Sequence, residues 1–296
     1  MGAAIRRLGT RPTSVEVPVI CVGNLTVGGT GKTPMVTALA ERLAARNPHI
    51  VSRGHGGTIT GPHRVDTARD SAADVGDEPL LLARHAPVWV ARNRALGAAA
   101  AVDAGAGLIV LDDGMQNPSL VKDLQILIID AAQGLGNGRV LPAGPLREPV
   151  AAGLARTDIV VLLGNEEARR NCLARWPCLD RMPRVEGSIE ADDTGQVKNR
   201  RLFAFAGIGR PGKFFDSLRA CGADLAGTQH FADHHPYSDA EIRSLRQEAS
   251  RLRAGLITTA KDFVRLSDEN RQGIETLPVS IRLADWAAID DLIRAI

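Results

Sequence analysis

The chain has 296 residues, of which 44% are hydrophobic and 24% are charged, a composition that is ordinary for a globular protein. Its formal charge is +2 and its aromatic content is 3%. It therefore offers neither the positive field nor the stacking surfaces on which nucleic-acid-binding proteins rely, and we expect no nucleic-acid partner. No apolar run approaches the roughly 18 residues that a membrane-spanning helix needs, so we expect no transmembrane helix.

A phosphate-binding loop is the first predicted element. An apolar run at residues 17–22 leads into a glycine-rich turn ending in Gly31-Lys32-Thr33, after which apolar residues recur at helical spacing. In a strand, glycine loop and helix in this order, backbone N–H groups and the helix N-terminus point at anionic oxygens. The predicted nucleotide-binding residues are Thr26, Val27, Gly28, Gly29, Thr30, Gly31, Lys32 and Thr33. Lys32 adds a full charge and Thr33 a ligand for Mg²⁺.

This loop departs from the usual spacing, because Thr26 stands where a glycine is common. Gly28 and Gly29 lie inside the turn instead, so residues that tolerate positive φ are still present. An ordinary strand-to-helix turn is the alternative.

The following part of the chain predicts a parallel sheet covered by helices. Four runs of strand length are apolar throughout rather than alternating, at residues 88–91, 108–111, 126–129 and 159–163. Strands that are buried on both faces have this pattern. Ala- and Leu-rich segments at residues 77–84 and 92–104 have the character of the covering helices.

A second, smaller unit is predicted after residue 200. Residues 181–200 are polar and poor in large apolar side chains, which favours a linker. Strand and helix patterns then alternate, at residues 202–206, 211–221, 225–229, 238–251, 257–259 and 279–283. We therefore predict an α/β protein with a P-loop NTPase-like parallel sheet core in residues 1–180, a linker over 181–200 and a smaller α/β domain over 201–296.

Two consecutive carboxylates, Asp112 and Asp113, follow the apolar run at residues 108–111. Ligands of open parallel sheets bind beyond the carboxyl ends of the strands, so these side chains are expected beside the phosphate loop. A carboxylate there can complete a Mg²⁺ site with Thr33. A plain Asp-Asp-Gly turn is the alternative, and the sequence does not distinguish which carboxylate would bind the metal.

Two other segments contain candidate acid–base groups. Asp77 either caps the Leu-rich helix that follows it or acts on an acceptor hydroxyl. Residues 230–237 contain three of the seven histidines. The spacing of His230 and His234 suits zinc on a helix, but Pro236 disfavours helix there. A catalytic or substrate-facing histidine in a loop and structural packing are the other interpretations.

A glycine- and proline-rich loop at residues 136–149 contains Arg147. It follows the predicted strand at residues 126–129, so it should lie over the same edge of the sheet. Arg147 either binds a phosphate through two N–H groups, a geometry for which a guanidinium is suited, or is a solvated surface residue.

Together these segments resemble the tetraacyldisaccharide 4'-kinases, the lipid A 4'-kinases of Gram-negative bacteria. The matching signatures occur in the family's order, at residues 23–34, 52–54, 76–79, 112–116, 141–148, 231–234 and 258–262. The family's variant of the phosphate loop includes the threonine at Thr26.

The resemblance implies transfer of the γ-phosphoryl group of ATP, with Mg²⁺, to the 4'-hydroxyl of a lipid, tetraacyldisaccharide 1-phosphate. It also implies a peripheral enzyme at the cytoplasmic face of the bacterial inner membrane. The implied acid–base pair is Asp77 with His234, while Lys32 neutralises charge on the phosphoryl group. The candidate catalytic residues are Asp77, His234, Lys32 and Arg147. The candidate metal ligands are Thr33, Asp112 and Asp113.

Two competing functions use the same loop. A P-loop ATPase or GTPase that acts as a switch or carrier needs no lipid acceptor, but it leaves Asp77 and His234 without a role. A kinase for a soluble metabolite keeps the catalytic residues and changes only the acceptor. Members of the resembled family begin with a longer membrane-docking segment, whereas Ile5, Arg6, Arg7 and Leu8 would here form a weak basic anchor.

Overall fold

The computed structural model describes residues 11–296, and within that range the strands form two sheets. The strands of the larger sheet are β1 (Val19–Gly23), β2 (Pro48–Ser52), β3 (His63–Arg64), β4 (Val88–Val90), β5 (Leu108–Asp112), β6 (Leu124–Asp130), β7 (Ile159–Leu163), β8 (Arg184–Ala191) and β13 (Val279–Leu283). Their order is β13-β8-β7-β6-β1-β5-β2-β4-β3. The pairs from β8 to β4 are parallel, and β13 and β3 add antiparallel edges.

Helices cover both faces of this sheet. They are α1 (Lys32–Arg42), α2 (Ala72–Val75), α3 (Asp77–Leu82), α4 (Arg94–Asp103), α5 (Val150–Leu154), α6 (Glu166–Arg175), α7 (Pro177–Asp180) and α12 (Ala287–Arg294). Every residue of β1, β2, β5 and β7 is buried, as expected for central parallel strands between two helical layers. The core on one face includes Met35 and Leu39 of α1, and the other includes Ala98 and Ala101 of α4.

The smaller sheet is parallel throughout its described strands. These are β9 (Arg201–Ala206), β10 (Asp224–His230), β11 (Gly255–Thr258) and β12 (Ile274–Thr276), in the order β10-β9-β11-β12. Its helices are α8 (Pro211–Ala220), α9 (Asp239–Arg251), α10 (Ala260–Phe263) and α11 (Asp268–Arg271). Phe215 and Leu218 of α8 pack on one face, and Ile242 and Leu245 of α9 on the other. The predicted α/β class is confirmed.

The two sheets do not follow the predicted boundaries. Strand β8 occupies part of the segment that was predicted as a linker, residues 181–200. β13 and α12, from the predicted C-terminal domain, return to the larger sheet, where β13 pairs with β8. In β8 the buried residues Val185 and Gly187 alternate with less buried polar ones, a half-buried strand pattern that its polar composition conceals. The division into domains stays a prediction.

The fold brings three loops to one edge of the larger sheet. They follow β1, β5 and β6, whose parallel pairing aligns their carboxyl ends, so the phosphate loop, the Asp112–Asp113 pair and the Arg147 loop lie together. Residues 11–296 contain no helix with the length and apolarity to cross a bilayer. The proposed basic anchor at Ile5, Arg6, Arg7 and Leu8 lies outside the described residues.

Candidate functional site

The predicted nucleotide-binding residues, 26–33, form the turn between β1 and the first turn of α1. Gly28 and Gly31 have φ of 101° and 97°, which L-residues with side chains rarely adopt. A Cβ at Gly31 would lie 2.7 Å from Leu163 Cδ1 and 2.8 Å from Ile189 Cδ1, whereas Gly28 and Gly29 have nothing within 4 Å of that position. The loop is therefore closely packed at its base and open at its tip.

Side-chain and backbone hydrogen bonds hold this loop in place. Asn24 Nδ2 donates to Thr30 Oγ1 at 3.0 Å, a buried contact across the base of the turn. The amide of Val27 donates to the carbonyl of Pro145 at 2.9 Å. The glycine- and proline-rich loop at residues 136–149 is thus attached to the phosphate loop, as its predicted position requires.

Lys32 and Arg147 both lie beside Asp113. Lys32 is buried, and its Nζ is 3.8 Å from Asp113 Oδ2. Arg147 Nη1 donates to both oxygens of Asp113, at 2.9 and 2.8 Å. Burial raises the pKa of Asp113, but the charges of Lys32 and Arg147 outweigh it and hold the pKa below its usual range. Asp113 is therefore an ionised carboxylate that already has two cations.

Asp112 is in a different electrostatic state. It is the last residue of β5 and 1% exposed, and its Oδ2 accepts a hydrogen bond from Ser52 Oγ at 2.9 Å. Its Oδ1 is buried and has no hydrogen-bond partner among the described residues. Burial, with the negative charges of Glu78 and Asp113, raises the pKa of Asp112 to about 7. A cation at this carboxylate would give Oδ1 a partner and would offset the repulsion from Glu78 and Asp113.

Thr33 contacts Glu78, a residue that was not predicted as a ligand. Thr33 Oγ1 donates to Glu78 Oε1 at 3.3 Å, and Lys261 Nζ donates to the same oxygen. Residues 11–296 hold no cluster of three or more His, Cys, Asp or Glu side chains arranged for a metal. The available donors, Thr33, Glu78 and Asp112, are all hard oxygens, which Mg²⁺ prefers and supplements with water and phosphate oxygens.

The predicted acid–base pair is in contact. Asp77, the first residue of α3, is 3% exposed, and its Oδ2 lies 3.2 Å from Nδ1 of His234, in the loop after β10. This hydrogen bond raises the pKa of His234 against the opposing effect of burial. The neighbouring His235 contacts Glu241 instead, with 2.9 Å between Nε2 and Oε1. His234 is thus the histidine that faces Asp77, as the resemblance implies.

Two cations that were not predicted come from the smaller sheet. Lys261 of α10 and Arg265, four residues later, reach the adjacent carboxylates Glu78 and Asp77 of α3. Arg265 Nη1 also donates to Asp262 Oδ1 at 2.9 Å. Burial raises the pKa of Asp77, but the bond to His234 and the charge of Arg265 outweigh it and hold the pKa well below its usual range.

Comparisons with known proteins agree along nearly the whole chain. A family described as tetraacyldisaccharide-1-P 4'-kinase matches residues 2–296. The tetraacyldisaccharide 4'-kinase of Rhodospirillum centenum is 53% identical over 98% of this chain and 87% of its own length. That of Dinoroseobacter shibae is 50% identical over 97% and 87%. A crystal structure of Aquifex aeolicus LpxK, an "apo" form in complex with ATP, has a TM-score of 0.78 and 29% identity over 96% of this chain and 90% of that one.

Proposed function

The chain belongs to the tetraacyldisaccharide-1-phosphate 4'-kinase family, and on this premise we propose that it transfers the γ-phosphoryl group of ATP to the 4'-hydroxyl of tetraacyldisaccharide 1-phosphate, a step of lipid A biosynthesis. One observation supports this most directly: the Asp77–His234 pair adjoins Glu78, which contacts Thr33 of the phosphate loop. A phosphate loop alone serves switches and kinases alike. A buried carboxylate paired with a half-exposed histidine beside it offers a base for an acceptor hydroxyl.

On the donor side, we propose that Lys32 neutralises charge on the phosphoryl group as it is transferred. Arg147 takes up both oxygens of Asp113, and Lys32 Nζ remains 3.8 Å away from that carboxylate. The lysine is therefore held in place without being committed to a short ion pair. Phosphoryl transfer depends mainly on positioning and electrostatic stabilisation, which is what fixed cations supply.

On the acceptor side, we propose His234 as the base and Asp77 as the residue that orients it. Asp77 faces Nδ1, whereas the nearest carboxylate oxygen to Nε2, Asp233 Oδ1, is 3.8 Å away and beyond hydrogen-bond distance, so Nε2 can take the proton of the 4'-hydroxyl. The hydroxyl oxygen then bonds to the γ-phosphorus, the bond to the β,γ-bridging oxygen breaks, and ADP leaves. Asp77 raises the pKa of His234, which makes the imidazole a stronger base. Such a base typically contributes about 10²–10⁴-fold in rate.

The donor set beside the phosphate loop suits Mg²⁺, and we propose Thr33, Glu78 and Asp112 as the residues that would hold it. The buried Asp112 Oδ1 without a partner among the described residues is the observation that favours a cation there. The ion would neutralise charge on the β- and γ-phosphates. Asp113, predicted as an alternative ligand, is the less suited carboxylate because Arg147 occupies both of its oxygens.

Because the acceptor is a lipid, we propose that the enzyme works as a peripheral protein at the cytoplasmic face of the inner membrane. Flotation with vesicles of anionic phospholipid tests this location. A kinase for a soluble metabolite would stay with the unbound protein fraction, whereas the proposed lipid kinase is expected to float with the vesicles.

The function is tested by incubating the protein with Mg-ATP and tetraacyldisaccharide 1-phosphate in mixed micelles, beside a Lys32→Ala control. We expect a bis-phosphorylated lipid that the control does not form. ATP hydrolysis that is independent of the lipid, with no phosphorylated lipid, would contradict the proposal and favour a switch or carrier.

A further inference from the structure

A cluster of charges outside the residues already assigned joins the smaller sheet to the phosphate loop. Arg210, directly before α8, donates through Nη2 to Asp130 Oδ2 at 2.5 Å and to the carbonyl of Gly29 at 2.8 Å. Lys213 Nζ lies 3.1 Å from the same oxygen of Asp130. Asp130 is the last residue of β6, and its side chain is 5% exposed. We call these residues the Arg210 latch: Arg210, Asp130 and Lys213.

The bond to Gly29 fixes a peptide of the loop. Gly29 has nothing within 4 Å of a would-be Cβ, so the turn is open on the side where a side chain would stand. A peptide unit is planar and trans, so its C=O and N–H point in opposite directions. The peptide that presents the Gly29 carbonyl to Arg210 therefore presents the Thr30 N–H to the other side, as a donor for phosphate oxygens.

The charges of the latch keep Arg210 in place. Asp130 Oδ1 accepts from the amide of Ala132 at 3.1 Å, which orients the carboxylate. Burial raises the pKa of Asp130, but the charges and hydrogen bonds of Lys213 and Arg210 outweigh it, so the pKa is lowered and the carboxylate is ionised. Arg210 thus bonds to a fixed anion on one side and to the loop on the other.

The latch also borders open space. Arg210, Lys213, Ala132 and residues of α8 line an open depression of the surface. The Arg210 side chain is 33% exposed, so it is not buried beneath packed side chains.

We propose that Arg210 is a positioning residue of the nucleotide site: held by Asp130, it orients the Gly29–Thr30 peptide and thereby sets the affinity for ATP. The proposal rests on the proposed function only for the identity of the ligand. A direct contact between Arg210 and the phosphates is the competing role, and the two differ in what Asp130 does. If Arg210 is a positioning residue, Asp130 supports it. If Arg210 contacts the phosphates directly, Asp130 competes with ATP for the guanidinium group.

The experiment measures the Kd of Mg-ATP by calorimetry without lipid, and kcat and KM with lipid. For Arg210→Met and for Asp130→Asn we expect Kd to rise about tenfold each, as for loss of a charge-assisted hydrogen bond, with kcat within about twofold of the parent value. The double variant should bind ATP no more weakly than Arg210→Met alone, because the two substitutions disrupt the same set of contacts. Arg210→Lys keeps the charge and should restore most of the affinity.

Arg219→Met is the matched control, since Arg219 lies on α8 and pairs with Asp216 in an exposed contact of 2.8 Å; its Kd should equal that of the parent. Tighter ATP binding by Asp130→Asn would overturn the proposal in favour of direct contact. An unchanged Kd for Arg210→Met would overturn it as well, and would exclude direct contact too. Failure of the proposed function would appear separately, as a parent protein that binds ATP but does not phosphorylate the lipid.

Discussion

The carboxylate of Asp77 binds groups from three parts of the chain. It accepts from the amide of Glu78 at 2.8 Å and from Arg265 Nε at 3.1 Å, and it lies 3.2 Å from His234 Nδ1. These partners hold its pKa well below the usual range, so it is a weak proton acceptor. Asp77 is therefore suited to orient His234, and the histidine is the group that can take a proton.

Replacing Asp77 separates its role from nucleotide binding. We expect Asp77→Ala to lower kcat by about 10²–10⁴-fold, the usual contribution of an acid–base group, because His234 loses both its orientation and its raised pKa. The Kd of Mg-ATP, measured by calorimetry, should change little. A loss of ATP affinity as large as the loss of turnover would assign Asp77 to the nucleotide site instead.

The raised pKa of His234 predicts a pH-dependent contribution to stability. Its pKa in the folded state lies above the value of about 6.5 in an unfolded chain. The imidazolium–Asp77 pair therefore stabilises the fold fully below about pH 6.5, and this contribution is lost as the pH rises through the raised pKa.

Urea unfolding of the parent and of His234→Gln measures this contribution. The difference in free energy of unfolding should be larger at about pH 6 than at about pH 9. The same comparison in an Asp77→Asn background is the control and should lose most of its pH dependence. A difference that grows toward high pH would contradict the pairing.

At the scale of elements, the turn between β1 and α1 requires glycine at Gly31 for two reasons, its backbone conformation and the lack of space for a side chain. Gly31 combines a φ of 97° with side chains closer than 3 Å to a would-be Cβ, whereas Gly29 has open space. Gly31→Ala is expected to destabilise the protein by about 1–3 kcal/mol through strain and overpacking. Gly29→Ala should stay within about 0.5 kcal/mol of the parent. Equal losses in urea unfolding would show that neither the strain at Gly31 nor its packing against Leu163 and Ile189 is the cause.

Local sequence pattern was sufficient for most elements of the larger sheet. The apolar runs at residues 108–111 and 159–163 correspond to β5 (Leu108–Asp112) and β7 (Ile159–Leu163), because burial on both faces requires apolar side chains at every position. β8 was missed since a half-buried strand shares its polar composition with linkers. The return of β13 to β8 was not predictable, because pairing between strands whose partners, such as Ala191 and Val279, lie so far apart in the chain is decided by the tertiary fold rather than by local pattern.

The candidate site, too, could be predicted only as far as local sequence pattern allows. The contact of Asp77 with His234 agrees with what the resemblance implies, while their roles stay a proposal. Lys261 and Arg265 were not predicted as partners of α3. Their four-residue spacing places them on one side of a helical turn, but nothing in the local sequence indicates that α10 packs against α3. The contacts span 183 and 188 residues.

At the scale of the whole molecule, the site is assembled by charged contacts between the two sheets. Lys261–Glu78 and Arg265–Asp77 join α10 and the turn after it to α3, and the Arg210 latch joins the smaller sheet to β6 and the phosphate loop. A displacement of the smaller sheet would therefore move the histidine and the loop contact together. The position of the sheets and the geometry of the site are coupled through these few charged contacts.

This coupling makes the Arg265–Asp77 pair a test of how the sheets are held together. Both side chains are buried, at 6% and 3% exposure, so Arg265→Met leaves the Asp77 carboxylate with only part of its compensation. We expect a loss of about 3–5 kcal/mol in the free energy of unfolding, the usual cost of breaking a buried pair. The matched control is Arg201→Met, whose partner Asp224 lies 2.7 Å away in an exposed pair and whose loss should cost at most about 1 kcal/mol.

A double variant separates charge from shape in the same pair. Asp77→Asn removes the carboxylate that Arg265→Met leaves uncompensated, so the combined variant should be more stable than Arg265→Met alone, although it lacks the carboxylate that contacts His234. Simple addition of the two single losses would mean that Arg265 stabilises the molecule through its bonds to Asp262 and the carbonyl of Gly207. A higher free energy of unfolding in the double variant than in Arg265→Met would instead show that Arg265 stabilises the molecule by neutralising the charge of Asp77.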